Sequence, residues 1–215
     1  NFEYIPHPIE VDSFKHIEQG RDWSVFPAQN HTILQRLVHT SGDFSVPDDI
    51  YISDGAIESA HRAIKDKAVL VTDVTMVQSG FKRQLINALQ LVTYSAVHSE
   101  EAYHMAKIQN ITRSAAGIRL AWQKFGNDVI LAIGDAPTAV MEAINLIETQ
   151  NWRPYLVIGI PVGFIGTEAC KTRLKTCLRV PRITNTGTKG GSPWASTILN
   201  ALIIQYVREN SRKNT

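Results

Sequence analysis

Cysteine is nearly absent: the 215 residues include only Cys170 and Cys177. Two thiols make no disulfide framework and suit a reducing compartment. Their separation puts them on roughly one helix face, read here as one small buried residue and one surface residue, with no metal-ligand spacing around them. An excess of one charge is also missing. The 22 basic and 20 acidic residues leave a formal charge of +2, which excludes a nucleic-acid coat and a polybasic membrane anchor. Any anionic partner must be met by local basic contacts. No apolar run is long enough to span a bilayer; the longest, Leu156–Ile165, is broken by glycine and proline. The first residues lack a basic segment followed by an apolar one, so no signal peptide is expected and a cytoplasmic location is. Repeats and Ser/Gly/Pro linkers are lacking too, and residues 1–215 read as a single domain. The chain is 44% hydrophobic and 20% charged, the proportions of a globular protein.

What is present is an alternation of short apolar runs and amphipathic segments. A helical N-terminal segment is expected over about 8–42, with Gly20 as a terminator, Pro27 at a first helical position, and Ile33, Leu34, Leu37 and Val38 at helical spacing. Ser53 or Asp54 is expected to cap a helix reaching Lys65. Strands are expected at Ala68–Thr72, Val129–Ile133 and Leu156–Ile160, with a weaker one at Leu89–Thr93 and a short last one at Arg182–Thr184. Helices are expected at Ser99–Gln109, Ser114–Phe125, Thr138–Thr149, Thr167–Cys177 and Ser192–Arg208, with a short tail over about 209–215. This pattern predicts an α/β fold with a buried, mainly parallel sheet. In such sheets ligands lie beyond the carboxyl ends of the strands, so the loops there carry the search.

Gly134-Asp135-Ala136-Pro137-Thr138 follows a strand and opens a helix. It is either an ordinary tight turn or a cradle whose free N–H groups hold a carboxylate or phosphate. Pro161-Val162-Gly163-Phe164-Ile165-Gly166 has glycines that permit close backbone approach but is not a dinucleotide fingerprint. Glu168 and Lys171 behind it read as a solvated ion pair. Gly187-Thr188-Lys189-Gly190-Gly191-Ser192 is a basic, glycine-rich stretch before a long helix, either an anion site or a surface loop. Thr112 or Ser114 would cap the next helix, and Arg113 stands against the helix dipole, a hint that it binds an anion. Among the seven histidines, none belongs to a metal motif. His98 and His104 read as surface helix residues. His39 ends an apolar helical stretch and is either a helix C-terminal histidine or a partly buried acid/base. No nucleophile elbow supports Ser-His-Asp hydrolysis.

These pieces occur together in order. Arg36-Leu37-Val38-His39 with Gly42, then Val71–Val77 with Gly80, then Thr112–Ala116, Ala132–Ala139, Gly159–Gly166, Glu168 with Lys171, and Gly190–Ser192 resemble the precorrin-8X methylmutase family. The resemblance runs from about Pro8 to Ala201. It implies a three-layer α/β/α, flavodoxin-like fold with extra N-terminal helices, a homodimer with the active site near the subunit interface, and no separate cofactor or protein-bound metal. The implied reaction moves the C-11 methyl to C-12 of precorrin-8X, giving hydrogenobyrinate, or of cobalt-precorrin-8, giving cobyrinate, in cobalamin biosynthesis. The implied catalytic residue is His39, with Ser13, Arg113 and Ser114 on the substrate. Lys189, Gly190 and Gly163 are added from the loops, and Phe164, Met76 and Val77 read equally as apolar lining or as core. Two departures stand out: His39-Thr40-Ser41-Gly42-Asp43 sets two hydroxyls and a carboxylate beside His39, and Thr188-Lys189 supplies lysine where arginine is frequent in the family. The alternative expectation is a non-enzymatic tetrapyrrole carrier on the same fold, and a third reading is a nucleotide-binding domain.

Overall fold

The structure is a computed structural model that describes residues 4–213. Six strands form one sheet: β1 (Ile50–Ile52), β2 (Val69–Thr72), β3 (Thr93–Tyr94), β4 (Val129–Ile133), β5 (Leu156–Gly159) and β6 (Arg182–Asn185). Their order is β1-β6-β5-β4-β2-β3, with every pairing parallel except β1 against β6. Without β1 this is the 2-1-3-4-5 order of flavodoxin-like sheets, as the resemblance implies.

The unbroken apolar run of β4 follows from cover on both faces. Ile130 and Ala132 point into a core shared with α2 (His31–Ser41), α4 (Ala56–Lys65) and α11 (Ser192–Lys213). Val129, Leu131 and Ile133 point the other way, against α8 (Arg113–Phe125), α9 (Pro137–Thr149) and α10 (Thr167–Thr176). The remaining helices are α1 (Pro8–Gln19), α3 (Val46–Asp49), α5 (Thr75–Ser79), α6 (Arg83–Ala88) and α7 (Glu100–Gln109).

Several expectations shift. The weak strand at Leu89–Thr93 is displaced: Leu89 caps α6, Gln90 is left-handed at φ 53°, and pairing begins only at Thr93. Neither Ser53 nor Asp54 caps α4; the cap is Gly55 at φ 73°, and the Ser53 hydroxyl accepts from the Arg182 N–H instead. Pro27 precedes a short 3₁₀ turn, Ala28–Asn30. His98 lies in a turn before Ser99, which caps α7. Both cysteines are buried, correcting the expectation that one of the two lies at the surface. Residues 209–213, expected as a tail, continue α11.

The N-terminal helices add a layer outside α11. Ile17, Trp23, Leu34 and Val38 form a small core of their own there. One carboxylate fastens α1 to what lies beneath. Glu10 pairs with Arg36 at 3.1 Å and Lys82 at 3.7 Å and accepts from the Tyr4 hydroxyl at 3.0 Å. Burial raises the Glu10 carboxyl, but Lys82, Arg36 and the Tyr4 bond outweigh it and hold the group below the ordinary carboxylate range.

A depressed carboxyl contributes stability that is present above its unfolded pKa and is lost as pH falls through the folded one. Glu10→Gln should therefore flatten the acid limb of the stability–pH curve, measured by urea melts between pH 7 and pH 3; an unchanged limb would show that Glu10 does not fasten this layer. A second test concerns Gly134, where a Cβ would lie 2.8 Å from Ser192 Cα and 3.0 Å from the Gly191 carbonyl oxygen. The obstacle is main chain at the start of α11, so Gly134→Ala should cost about 1–3 kcal/mol in chemical denaturation.

Candidate active site at the carboxyl ends of the strands

The parallel strands reverse their order of addition between β2 and β4, the place where open α/β sheets form a crevice. Here the crevice is filled from within. Buried Asp73, directly after β2, accepts from the N–H groups of Gly134 at 3.1 Å, Asp135 at 2.8 Å and Ala136 at 2.8 Å. The N–H groups read as a possible cradle for a ligand anion are thus taken by the chain's own carboxylate. Burial pushes the Asp73 carboxyl up, and the three N–H donors work against that rise. Beside this turn, Thr112 caps α8 by accepting from the Ala115 N–H, and its hydroxyl meets that of Thr138 at 2.7 Å. The cap leaves Ser114 partly buried and Arg113 exposed, its guanidinium in no hydrogen bond or ion pair among the described residues.

The two glycine loops close on each other. Gly163 N–H donates to the Thr188 carbonyl at 3.1 Å and Gly191 N–H to the Ile160 carbonyl at 2.9 Å. Gly190, at φ 153°, has no room for a Cβ, which would sit 2.3 Å from the Ile160 oxygen. Gly190 and Gly163 therefore have a packing role between loops. Lys171 overturns its expected place in a solvated pair with Glu168: it is buried and donates to the carbonyls of Gly187 at 2.9 Å and Lys189 at 2.6 Å. Lys189 itself reaches outward to pair with Asp43 at 2.9 Å. That bond, with donation from Ser45, holds the Asp43 carboxyl well below the carboxylate range, and Asp43 raises Lys189 in turn.

His39 lies in the last turn of α2, which Gly42 ends in the left-handed conformation at φ 68°. His39 is exposed, against the partly buried alternative, and its ring stacks on Phe14 with centroids 5.1 Å apart and planes 20° apart. It forms one wall of a cavity of about 210 Å³ shared with Glu10, Arg36, Thr40, Lys82, Thr197 and Asn200. Arg36 and Lys82 share the one carboxylate of Glu10, which leaves a local excess of positive charge beside His39. The departures near His39 have structural partners: Thr40 meets the Thr197 hydroxyl at 2.8 Å, Ser41 donates to the Leu37 carbonyl, and Asp43 turns to Lys189. Ser13 is turned from the cavity, donating to the Ile9 carbonyl at 2.9 Å, while its neighbour Phe14 supports the His39 ring.

Sequence reasoning missed Glu10 and Lys82 and treated Arg36 only as part of a motif. The available signal was Arg36 three residues before His39, one helical turn away on the same face. Of the three residues read as lining or core, Val77 is core, but Met76 and Phe164 are exposed beyond the strand ends, as are Ile165 and Val162 beside Phe164. The His39 cavity does not reach Arg113 or Ser114, which stand across the sheet on the α8 side. Among the described residues no group of His, Cys, Asp and Glu could hold a metal ion, and no helix is long and apolar enough to cross a membrane.

Residues 8–205 match the family model described as precorrin-8X methylmutase. The cobalt-precorrin-8 methylmutase of Priestia megaterium is 36% identical over 199 residues, covering 93% of this chain and 88% of that protein. The cobalt-precorrin-8 methylmutase of Methanocaldococcus jannaschii is 33% identical over 179 residues, covering 83% and 81%. The crystal structure of precorrin-8x methyl mutase from Thermus thermophilus superposes with a TM-score of 0.86 at 29% identity, covering 94% of this chain and 96% of that one. A chain matched along nearly its whole length by model, relatives and fold alike belongs to the precorrin-8X methylmutase family.

Proposed function

We propose that this chain, acting as one unit over residues 1–215, is an isomerase of cobalamin biosynthesis that moves the C-11 methyl of precorrin-8X or cobalt-precorrin-8 to C-12. The observation that carries this reading is His39, exposed at the mouth of a cavity whose walls hold Arg36 and Lys82 against a single carboxylate. The substrate is a large ring with acetate and propionate arms, so it needs a proton donor at the ring and cations at its edge. His39 supplies the first. Protonating the ring makes its π-system electron-poor and eases methyl migration. Because the reaction is an isomerisation, the proton is returned, and one acid/base group serves both steps. Phe14 fixes the plane of that group by stacking.

A cavity of about 210 Å³ takes an edge of such a ring, not the whole. The rest lies over the strand ends, where Phe164 is 87% and Ile165 91% exposed and can cover an apolar ring face. Exposed Arg113, with Ser114 beside it, takes a carboxylate arm there. Since Arg113 stands on the other side of the sheet from His39, we further propose a homodimer in which a second copy closes the site. Ser13 would join only by turning its hydroxyl from Ile9. The carrier reading rested on the residues after His39, and these are engaged with Thr197, Leu37 and Lys189, leaving the His39 ring open. A nucleotide would need the crevice that Asp73 fills.

The test follows the visible spectrum of precorrin-8X and of cobalt-precorrin-8 with the wild-type protein and with His39→Ala. The wild type should convert at least one form, and His39→Ala should lose about 10²–10⁴-fold in turnover while still binding product. Undiminished turnover in the variant would remove His39 from the acid/base role.

A further inference from the structure

Lys171 is among the largest wholly buried side chains of the protein. Burying an ammonium is unfavourable unless acceptors receive it, and a well-packed apolar side chain of similar volume commonly does as well or better. Packing alone therefore does not explain a lysine here. Among the described residues no carboxylate lies within ion-pair distance of it. Glu168 and Asp49 act on it only at longer range, and the Cys170 thiol is its neighbour in sequence. Burial pushes the group down to about 8. Even the neutral amine keeps two N–H groups, one for each of the carbonyls of Gly187 and Lys189 that it holds.

Those two carbonyls belong to the segment that carries Lys189. The Lys189 carbonyl takes a second donor, Asn185 Nδ2 at 2.8 Å, and the Thr188 carbonyl takes the Gly163 N–H. From this anchored backbone the Lys189 side chain reaches Asp43, just past the helix whose last turn carries His39. A continuous line thus runs from a buried cation in α10, through a glycine-rich loop, to a surface ion pair whose carboxylate lies four residues past the candidate acid/base.

We propose that Lys171 is a positioning residue: its buried Nζ clamps the Gly187–Lys189 segment, so that the Lys189 ammonium is held at the rim of the His39 site, where it takes a carboxylate, Asp43 in the empty site and a carboxylate arm of the substrate in the filled one. The second half rests on the methylmutase reading; the first does not.

The experiment uses the Lys189–Gly190 peptide bond as its reporter, because trypsin cuts after an accessible lysine in mobile backbone. In the intact wild-type protein this bond should resist cleavage, and in Lys171→Met it should be cut at least about tenfold faster while other sites and the melting curve change little, as expected for local opening. Equal cleavage in both would overturn the clamp. Should Lys171→Met not fold, Asp43→Asn decides: it removes only the surface end of the line, so the bond must stay as resistant as in wild type, and rapid cleavage there would overturn the proposal by giving the hold to the ion pair. For the substrate arm, Lys171→Met should raise KM by about tenfold with kcat nearly unchanged, and the increase should vanish in a Lys189→Met background. A KM increase that persists in that background would overturn the action through Lys189. Wild-type protein that turns over neither substrate, yet shows the expected cleavage pattern, would sink the methylmutase reading and leave the clamp standing.

Discussion

The carboxylate of Asp73 holds the upper end of this sheet together. β2 and β4 are neighbours whose chains leave in opposite directions, and the gap between their ends would expose the N–H groups of Gly134, Asp135 and Ala136. Buried backbone donors need partners. Asp73 supplies all three from the adjacent strand end, and Gly134 then lets the start of α11 lie directly over the turn. The α11 helix in turn receives α2, and so places Thr197 and Asn200 opposite Thr40 and Lys82 in the wall of the His39 cavity. The position of the candidate acid/base thus depends, through one helix, on a carboxylate buried at the sheet's switch point.

A net charge of +2 says little about how such a protein meets an anion. The cations on which the proposed reading relies are few and local: Arg36 and Lys82 at the His39 cavity, Lys189 paired with Asp43 beyond the end of α2, and Arg113 across the strand ends. Lys82, Lys189 and Arg113 stand in loops or at helix ends, while Arg36 projects from the middle of α2. A large polycarboxylate needs contacts spread in this way more than it needs a single basic patch.

Much of the fold was legible. The apolar runs that became β2, β4 and β5 are short, continuous and bounded by turn residues, and both faces of each are covered. β3 was misplaced because two paired residues leave almost no pattern, and the apolar residues just before them, Leu89 and Leu91, belong to the cap of α6 and the loop after it. β1 was missed because a three-residue edge strand, half-buried throughout, has no buried run to betray it. At the candidate site, motifs singled out His39 and Arg113 but did not tell their burial. His39 closes an apolar helical stretch and is nonetheless exposed, since Ile33, Leu34, Leu37 and Val38 take the buried faces of the helix and the His39 ring lies off them, stacked on Phe14. Lys171 is the reverse case: its i,i+3 spacing from Glu168 suggested a surface pair, and only the fold shows that two carbonyls from a loop sixteen to eighteen residues on come down to meet it. Long-range partners of that kind, like Glu10 for Arg36 and Lys82, leave no local trace in a sequence.

The pairing of Lys189 with Asp43 changes what recognition means at this rim. The cation is not waiting bare in solvent; it already holds a carboxylate of its own chain. On the reading proposed above, a carboxylate arm arriving there would displace Asp43, so the net gain would be the difference between two similar ion pairs, with little charge newly neutralised. Recognition by exchange is weaker than capture by a naked cation, and it depends less on ionic strength, since salt screens the pair that breaks as well as the pair that forms. It also keeps unrelated anions from settling at an empty site, because each would have to beat a partner that is tethered in place.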